Sequence, residues 1–230
     1  PGKASTETGK AALQALRQAA TDLKEGMLDA IVTAPIDKHT IHSDEFPFKG
    51  HTEFLAGFFE AKEHLMLLVS DTLRVGLVTG HVPIREVASL ITRERVESKL
   101  KALELTLLKD FGITKPKIAV LGLNPHAGDG GVIGDEDEKI LKPLINDLKN
   151  QGKTVFGPHP SDGFFAVGNH LKYDGILAMY HDQGLIPFKS IAFDSGVNFT
   201  AGLSVIRTSP DHGTGYAIAG KNQASENSMR

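Results

Sequence analysis

Short, almost uninterrupted aliphatic runs recur along this chain and limit the folds open to it. Those at 75–78, 118–123 and 175–179 are followed closely by Gly or Pro. Such runs are typical of strands buried on both faces of a parallel sheet. The other predicted elements are strands at 28–35, 65–70 and 154–156, helices at 5–26, 84–109, 136–151 and 163–171, and strand-like stretches at 190–193 and 203–206. This alternation predicts an α/β fold with a largely parallel sheet.

A histidine lies just beyond each of the aliphatic runs at 75–78, 118–123 and 175–179. These residues are His81, His126 and His181. Ligands of open α/β sheets bind beyond the carboxyl ends of the strands, so the three rings could converge at one edge. Neutral imidazole is a good ligand for Zn, Co or Ni, and three ligands leave positions open for a substrate. A histidine after a strand is also a common loop or core residue, so a metal site and a structural role both stay open here.

Two polar segments lie next to these histidines. The Gly-rich stretch 124–131 predicts a tight loop whose backbone amides can approach a ligand, with an ordinary surface turn as the alternative. Asp182 could bind a metal, orient an imidazole or serve as a turn residue. The acidic run 135–138 at the start of a predicted helix is best explained by the helix dipole rather than by metal binding.

Several residues suit an anionic ligand. The sequence from Gly50 to Glu53 predicts a helix start, where Thr52 or its neighbours can cap the backbone amides and exposed amides attract anions. Downstream, Lys189, Asn198 and Arg207 add two cations and an amide, which suit a phosphate or a carboxylate. Taken singly, each is more simply read as a surface residue.

Composition excludes several classes of function. The formal net charge is −3 and no dense Lys/Arg block occurs, so neither nucleic acid nor an anionic membrane is an expected partner. The chain has no cysteine, so a metal would have to be held by histidine and carboxylate. No run approaches the roughly 20 apolar residues that span a bilayer, and no signal-peptide pattern is present, so we expect a cytoplasmic enzyme acting on a small molecule.

Common nucleotide-binding and nucleophile motifs are missing from the sequence. No Walker loop and no Gly-x-Gly-x-x-Gly after the first strand is found, so a nucleotide would need another mode of binding. An acyl- or phosphoryl-transfer enzyme likewise lacks support.

Six motifs in order along the chain resemble one enzyme family. They are TAPIDK at 33–38, GHTE at 50–53, GHVP at 80–83, NPHAG at 124–128, YHDQG at 180–184 and IRTSPDHGT at 206–214. Together they are similar to the 4-hydroxythreonine-4-phosphate dehydrogenase family of vitamin B6 biosynthesis. Chains of that family extend further upstream, and we therefore expect this sequence, which starts at Pro1, to be incomplete.

The resemblance implies a set of functional residues. A divalent metal (Zn, Mg or Co) would be held by His81, His126 and His181, drawn from both subunits of a homodimer. Substrate contacts would fall on His51, Thr52, Lys189, Asn198 and Arg207. The segment 212–214 with IAGK at 218–221 looks like an adenosine-binding segment, which would assign NAD or NADP to His212, Gly213, Thr214 and Gly220.

The resemblance also implies an architecture. Family members have a fold like that of isocitrate and isopropylmalate dehydrogenases, with two α/β domains, largely parallel sheets and a cleft between them. These proteins bind NAD(P) without the usual glycine fingerprint. We expect one domain over 1–110 with part of the C-terminal region, lacking its upstream strands, and another over 111–230 that carries the metal- and anion-binding loops.

The implied activity is an oxidation followed by a decarboxylation. NAD(P)+ would oxidise 4-phosphooxy-L-threonine at C3, and loss of CO2 would give 3-amino-2-oxopropyl phosphate for pyridoxal 5′-phosphate synthesis. The same chemistry on phospho-threonate or phospho-erythronate, and a non-catalytic metal- or phosphate-binding protein, stay open as alternatives. The general base is not identified by the sequence, and His51, Asp182 and Lys189 are its side-chain candidates.

Overall fold

A computed structural model describes residues 2–48, 50–193, 195–210, 212–226 and 229. They form two compact units. One is Leu65–Phe193, and the other combines the segments that precede and follow it. The division therefore differs from the boundary expected at 110/111. Residues 75–77 pair in parallel with 176–178, which keeps the stretch 65–110 in the same unit as the later strands.

Eight helices and eight strands occur in the described residues. The helices are α1 Thr6–Lys24, α2 Lys38–Ile41, α3 His51–Phe58, α4 Ile84–Leu90, α5 Arg93–Lys109, α6 Lys142–Asn150, α7 Ser161–Ala166 and α8 His181–Ala192. The strands are β1 Ala30–Val32, β2 Leu65–Val69, β3 Arg74–Leu77, β4 Ile118–Leu121, β5 Val155–His159, β6 Gly175–Ala178, β7 Val197–Ala201 and β8 Ile206–Pro210. Short 3-10 turns occur at Asn169–Lys172 and Tyr216–Ile218, and a π-turn at Asp137–Leu141 leads into α6.

The first unit contains α1 to α3 with β1, β7 and β8. Strand β8 pairs in parallel with β1 and antiparallel with β7. Helix α1 begins at a capping box formed by Ser5 and Thr8, and its apolar face packs on phenylalanines of the following segments. The strand predicted over 28–35 is present as the shorter β1, but its predicted burial is wrong, because β1 has one paired neighbour in the described unit and Val32 is 52% exposed.

The second unit is a five-stranded sheet in the order β2-β3-β6-β4-β5. Strands β2 and β3 are antiparallel, whereas β3, β6, β4 and β5 run parallel to one another. The structure confirms the strands that were predicted at 65–70, 75–79, 118–123, 154–156 and 175–179. Their observed ends differ from the predicted ends by about three residues or fewer. Strands β4 and β6 are buried along their whole length, as their continuous aliphatic sequences predict. The carboxyl ends of four parallel strands therefore lie along one edge of this sheet.

Four further predicted elements differ from the structure. The strand-like stretch 203–206 is mostly a bend, and only Ile206 belongs to β8. The helix expected over 84–109 is divided at Ile91, because the Thr92 side chain accepts the Arg95 N–H and starts α5 as a new helix. The helix expected over 163–171 is instead α7 followed by the 3-10 turn. The strand-like stretch 190–193 lies largely in α8, where Ser190 Oγ donates to the carbonyl of Ile186. No helix in the described part of the chain is long and apolar enough to cross a membrane.

Candidate functional site

Two of the three predicted metal ligands lie side by side in the second unit. His81 follows β3 and His181 follows the adjacent strand β6, and their ring centroids are 5.3 Å apart. Both rings line an open cavity of about 380 Å³ together with Tyr180 and Asp182. Pairing of β3 with β6 thus brings together histidines that are 100 residues apart in sequence.

The ring of His181 is held by its neighbour in the chain. His181 begins α8, and its Nδ1 lies 2.7 Å from Oδ1 of Asp182. Metal-binding histidines commonly use one ring nitrogen for such a carboxylate and the other for the metal. This geometry leaves Nε2 of His181 as the nitrogen for a cation and favours the orienting role among the three considered for Asp182. The donor set therefore fits a divalent metal.

His126 lies on a left-handed turn that follows β4. Every residue from 126 to 130 has a positive φ, between 43° and 82°. Glycine adopts this conformation readily, but His126, Ala127 and Asp129 are not glycines. The left-handed conformation costs roughly 1–2 kcal/mol for each such residue, so surrounding contacts must hold the turn.

Asp137 is the buried anchor of this turn. Its side chain is 0% exposed and accepts hydrogen bonds from the backbone N–H groups of Leu123 and Asn124 at 2.9 and 3.0 Å. The side-chain amide of Asn124 donates to it at 3.0 Å. The helix-dipole explanation of the run 135–138 therefore does not account for Asp137, which faces the loop after β4.

The third histidine does not join the other two within the described chain. His126 is exposed, and no group of three or more His, Asp or Glu side chains among the described residues lies close enough to hold a metal. The structure thus places His81 and His181 together and His126 elsewhere on the second unit.

The first unit contains a buried cation. Arg207 on β8 is 3% exposed, and its Nε and Nη2 donate to Thr33 Oγ1 at 3.0 and 2.6 Å. Its Nη1 donates to Thr200 Oγ1 at 3.0 Å. Burial lowers the pKa of Arg207 to about 10, with Glu53 opposing that shift, so the group stays charged at neutral pH. A buried guanidinium held by hydroxyl groups is suited to an anionic ligand.

His51 lies in the electrostatic field of this cation. It is half-buried at the first position of α3. Burial, followed by the charges of Arg207 and Lys38, lowers the pKa of His51 to about 4, so its ring is neutral at neutral pH. The predicted capping by Thr52 is not observed, because the N-cap is Gly50 and no side chain caps α3. The first backbone N–H groups of α3 therefore have no side-chain acceptor at the cap.

The remaining predicted residues occupy different surroundings. Thr52 is half-buried in the first turn of α3, and Asn198 is on the same face of β7 as Thr200, the partner of Arg207. Lys189 is half-buried on α8 in the second unit.

The predicted cofactor residues lie in the exposed segment after β8. These are His212, Gly213, Thr214 and Gly220. The Nδ1 atom of His212 is 3.0 Å from the carbonyl of Gly213, and Gly220 has a φ of +77°. A larger open cavity, of about 520 Å³, runs along α1 and α2 and contains none of the predicted site residues.

Three residues with clear roles were not singled out from the sequence. Thr33 and Thr200 fix Arg207, and Asp137 fixes the loop before His126. Thr33 lies inside the TAPIDK motif, and Thr200 follows Asn198 at the spacing that puts both on one strand face, so each had a usable signal. Nothing in the acidic run distinguishes Asp137 from its neighbours.

Comparison with known proteins shows which family the chain resembles in sequence and in fold. The family model described as pyridoxal phosphate biosynthetic protein PdxA matches residues 1–230. A protein from Bacteroides thetaiotaomicron named 4-hydroxythreonine-4-phosphate dehydrogenase is 53% identical over 229 residues; the match covers 99% of this chain and 63% of that protein. The chain therefore spans about two thirds of that relative's length.

Solved structures show the same fold. The crystal structure of 4-hydroxythreonine-4-phosphate dehydrogenase from Klebsiella pneumoniae superposes with a TM-score of 0.89 at 38% identity, covering 100% of this chain and 69% of that one. Isocitrate dehydrogenase from Methylococcus capsulatus matches at 13% identity with a TM-score of 0.51, covering 86% of this chain and 64% of that one. The second match bears on fold alone and confirms the predicted isocitrate dehydrogenase-like class.

Proposed function

Because the chain belongs to the PdxA family of pyridoxal phosphate biosynthetic proteins, we propose that its protein oxidises 4-phosphooxy-L-threonine at C3. The C3 hydrogen leaves as a hydride to NAD(P)+ and the C3 hydroxyl loses its proton. The resulting 3-oxo acid then loses its C1 carboxylate as CO2, and a proton takes that place on C2. The products are 3-amino-2-oxopropyl phosphate and NAD(P)H.

The buried guanidinium of Arg207 is the observation that carries this proposal. Its hydrogen bonds in the described structure go to two threonine hydroxyls, so its positive charge is available to a bound phosphate or carboxylate. The neutral ring of His51 can donate a hydrogen bond to the same anion without adding charge. We assign Thr52 and Asn198 to other polar contacts of the substrate, and Lys189 stays a predicted substrate contact.

The bound cofactors supply the chemistry that these side chains lack. When bound, NAD(P) accepts the hydride, and a divalent metal stabilises negative charge on a substrate oxygen by several kcal/mol. His81 and His181 would hold the metal in one subunit of a homodimer, with His126 supplied by a second copy of the chain. Residues 212–214 and Gly220 would hold the adenosine end of NAD or NADP.

The proton that leaves the C3 hydroxyl requires an acceptor. Of the three candidate bases, Asp182 is engaged with His181, which leaves His51 and Lys189. His51 has a neutral ring at neutral pH, because burial and two adjacent cations disfavour its charged form. We therefore assign the acceptor role to His51, whose proton affinity rises when an anionic substrate offsets those cations.

Turnover assays on the purified full-length protein test the proposal. We expect NADH or NADPH formation and CO2 release with 4-phosphooxy-L-threonine in the presence of Zn²⁺, Mg²⁺ or Co²⁺. Faster turnover of phospho-threonate or phospho-erythronate would keep the chemistry and change the substrate. Metal binding without turnover of any of the three would instead favour a non-catalytic binding protein.

A pair of arginine variants tests the anion contact directly. Arg207→Gln should reduce kcat/KM for the phosphorylated substrate by about 10- to 100-fold, as expected when a charged hydrogen-bonding group is lost. Arg85→Gln is the matched control, because the Arg85 side chain is 81% exposed. An Arg207→Gln protein that is folded and as active as the control would contradict the assignment.

A further inference from the structure

Gln183 is a buried side chain whose hydrogen bonds reach three separate segments of the second unit. It is the third residue of α8 and 9% exposed. Its Oε1 accepts the backbone N–H of Met179 at 2.6 Å. Its Nε2 donates to the carbonyl of Gly122 at 2.6 Å and to Ser161 Oγ at 2.7 Å. Both side-chain donors and one acceptor position are therefore in use.

The three partners lie where elements end or begin at the carboxyl edge of the sheet. Met179 directly follows β6, two residues before His181. Gly122 directly follows β4, four residues before His126. Ser161 begins α7, just after β5. One side chain thus joins the chain segments that lead into two of the predicted metal ligands.

The chemistry of these partners requires an amide. Met179 offers an N–H and needs an acceptor, whereas Gly122 offers a carbonyl and needs a donor. Glutamate has the same shape as glutamine, but it would place a carboxylate oxygen against the carbonyl of Gly122. Methionine has a similar length and supplies neither an N–H donor nor a strong acceptor. The site therefore distinguishes glutamine from both of its closest substitutes.

The segment that follows Gly122 has little tolerance for movement. A Cβ added at Gly122 would lie 2.9 Å from the Cα of Ala127 and from Oδ1 of Asp137. The turn at 126–130 is left-handed throughout, so its position depends on the contacts that hold its start. Asp137 holds Leu123 and Asn124, and Gln183 holds the residue just before them.

We propose that Gln183 is a positioning residue that fixes the His126 loop and the His181 segment as one rigid body. His181 would thereby be placed for the metal of its own subunit, and His126 for the metal held by the second copy of the chain. This inference rests on the metal centre put forward under the proposed function. Gln183 itself contacts neither substrate nor metal in this role. It acts through the backbone at Gly122 and Met179.

Cobalt titration of the full-length protein tests the inference without relying on turnover. Co²⁺ reports its ligand geometry through visible absorption bands, so affinity and spectrum are read in one experiment. We expect Gln183→Glu to bind Co²⁺ about 10- to 100-fold more weakly than the native protein, with altered bands, as is usual when residues behind metal ligands are changed. Cooperative thermal unfolding of the metal-free variant would establish that it is folded.

Gln151→Glu provides the matched control. Gln151 is exposed at the end of α6 in the same unit, and its variant should bind Co²⁺ like the native protein. If Gln183→Glu is folded and its Co²⁺ affinity and spectrum equal those of the control, the inference is wrong. If it does not fold, Ser161→Ala removes one of the three hydrogen bonds and should weaken Co²⁺ binding a few-fold; unchanged binding there would also overturn the inference.

If the proposed metal centre does not exist, the Co²⁺ titrations will give a different set of results. A native protein that binds no Co²⁺, or whose Co²⁺ binding is unchanged by His181→Ala, would refute both the metal centre and the role of Gln183. A native protein whose Co²⁺ binding is lost in His181→Ala but retained in Gln183→Glu would refute only the role of Gln183.

Discussion

The titration of His51 tests the electrostatics of the first unit. The pKa of this ring is about 4 in the folded protein, against about 6.5 in an unfolded chain, because burial and the charges of Arg207 and Lys38 disfavour the imidazolium. Above about pH 6.5 both states are neutral and His51 contributes no pH dependence. As the pH falls from about 6.5 to about 4, the unfolded chain takes up a proton that the folded chain does not, so stability declines.

The size of this loss follows from the pKa difference. Lowering the pKa from about 6.5 to about 4 corresponds to about 3 kcal/mol, which is an upper limit because part of the ring faces solvent. The loss should be complete near pH 4 and absent near pH 7. It would be a large fraction of the stability of a typical domain, about 5–15 kcal/mol.

Urea unfolding at several pH values measures the effect, with His51→Gln as the reference. The chain has ten histidines, so the stability difference between the two proteins isolates the one of interest. NMR titration of the ring gives its pKa directly. A ring that titrates near pH 6.5, or a variant whose stability falls as much on acidification as that of the native protein, would refute the reasoning.

The neighbouring charges give an independent check. Lys38→Met removes a positive charge that acts on His51 and should raise its pKa, whereas Lys10→Met, an exposed lysine of α1 that is not among those charges, should not. Inorganic phosphate bound beside Arg207 should also raise the pKa of His51, because the anion offsets the cations. A pKa that is unaffected by saturating phosphate would show that the anion binds elsewhere.

Two further changes have defined outcomes in the second unit. Asp182→Asn should weaken Co²⁺ binding about 10- to 100-fold, because the amide is a poorer partner for the His181 ring; equal binding by this variant and Asp71→Asn, an exposed control, would contradict that role. Asp137→Asn should lower the free energy of unfolding by about 1–3 kcal/mol, since its NH2 group faces N–H donors, whereas the exposed Asp135→Asn should cost less than about 1 kcal/mol. Urea unfolding compares the two, and equal losses would argue against the anchor.

The strands of the second unit could be predicted from the sequence because they are buried and consist mainly of apolar residues. A run such as 118–121 contains only aliphatic residues and is buried at every position, so pattern and environment agree. The stretch 190–193 is also mostly apolar, but it continues helix α8. There Phe188 and Ala192 are four residues apart and pack into the same core cluster, which is the helical spacing. The composition of this stretch alone does not show whether its apolar side chains repeat with the period of a helix or with that of a strand.

The loop before His126 shows a different limit. Its glycines predict an irregular backbone, and the structure has one. The left-handed conformation of His126 and Ala127 has no local signal, because non-glycine residues adopt it only when distant contacts hold them. Asp137 supplies such contacts from 13 and 14 residues further along, inside an acidic run that reads as an ordinary helix start.

His51 and His181 show why residue type alone does not assign a histidine to a ligand. Each is the first residue of a helix, so their local structure is alike. Burial, followed by the charges of two nearby cations, lowers the pKa of His51 and keeps its ring neutral, and the cations favour contact with an anion. His181 has a carboxylate at Nδ1, which orients the ring and leaves Nε2 for a cation. The two rings therefore have opposite ligand preferences, which come from Arg207, a tertiary neighbour, for His51 and from Asp182, the next residue in sequence, for His181.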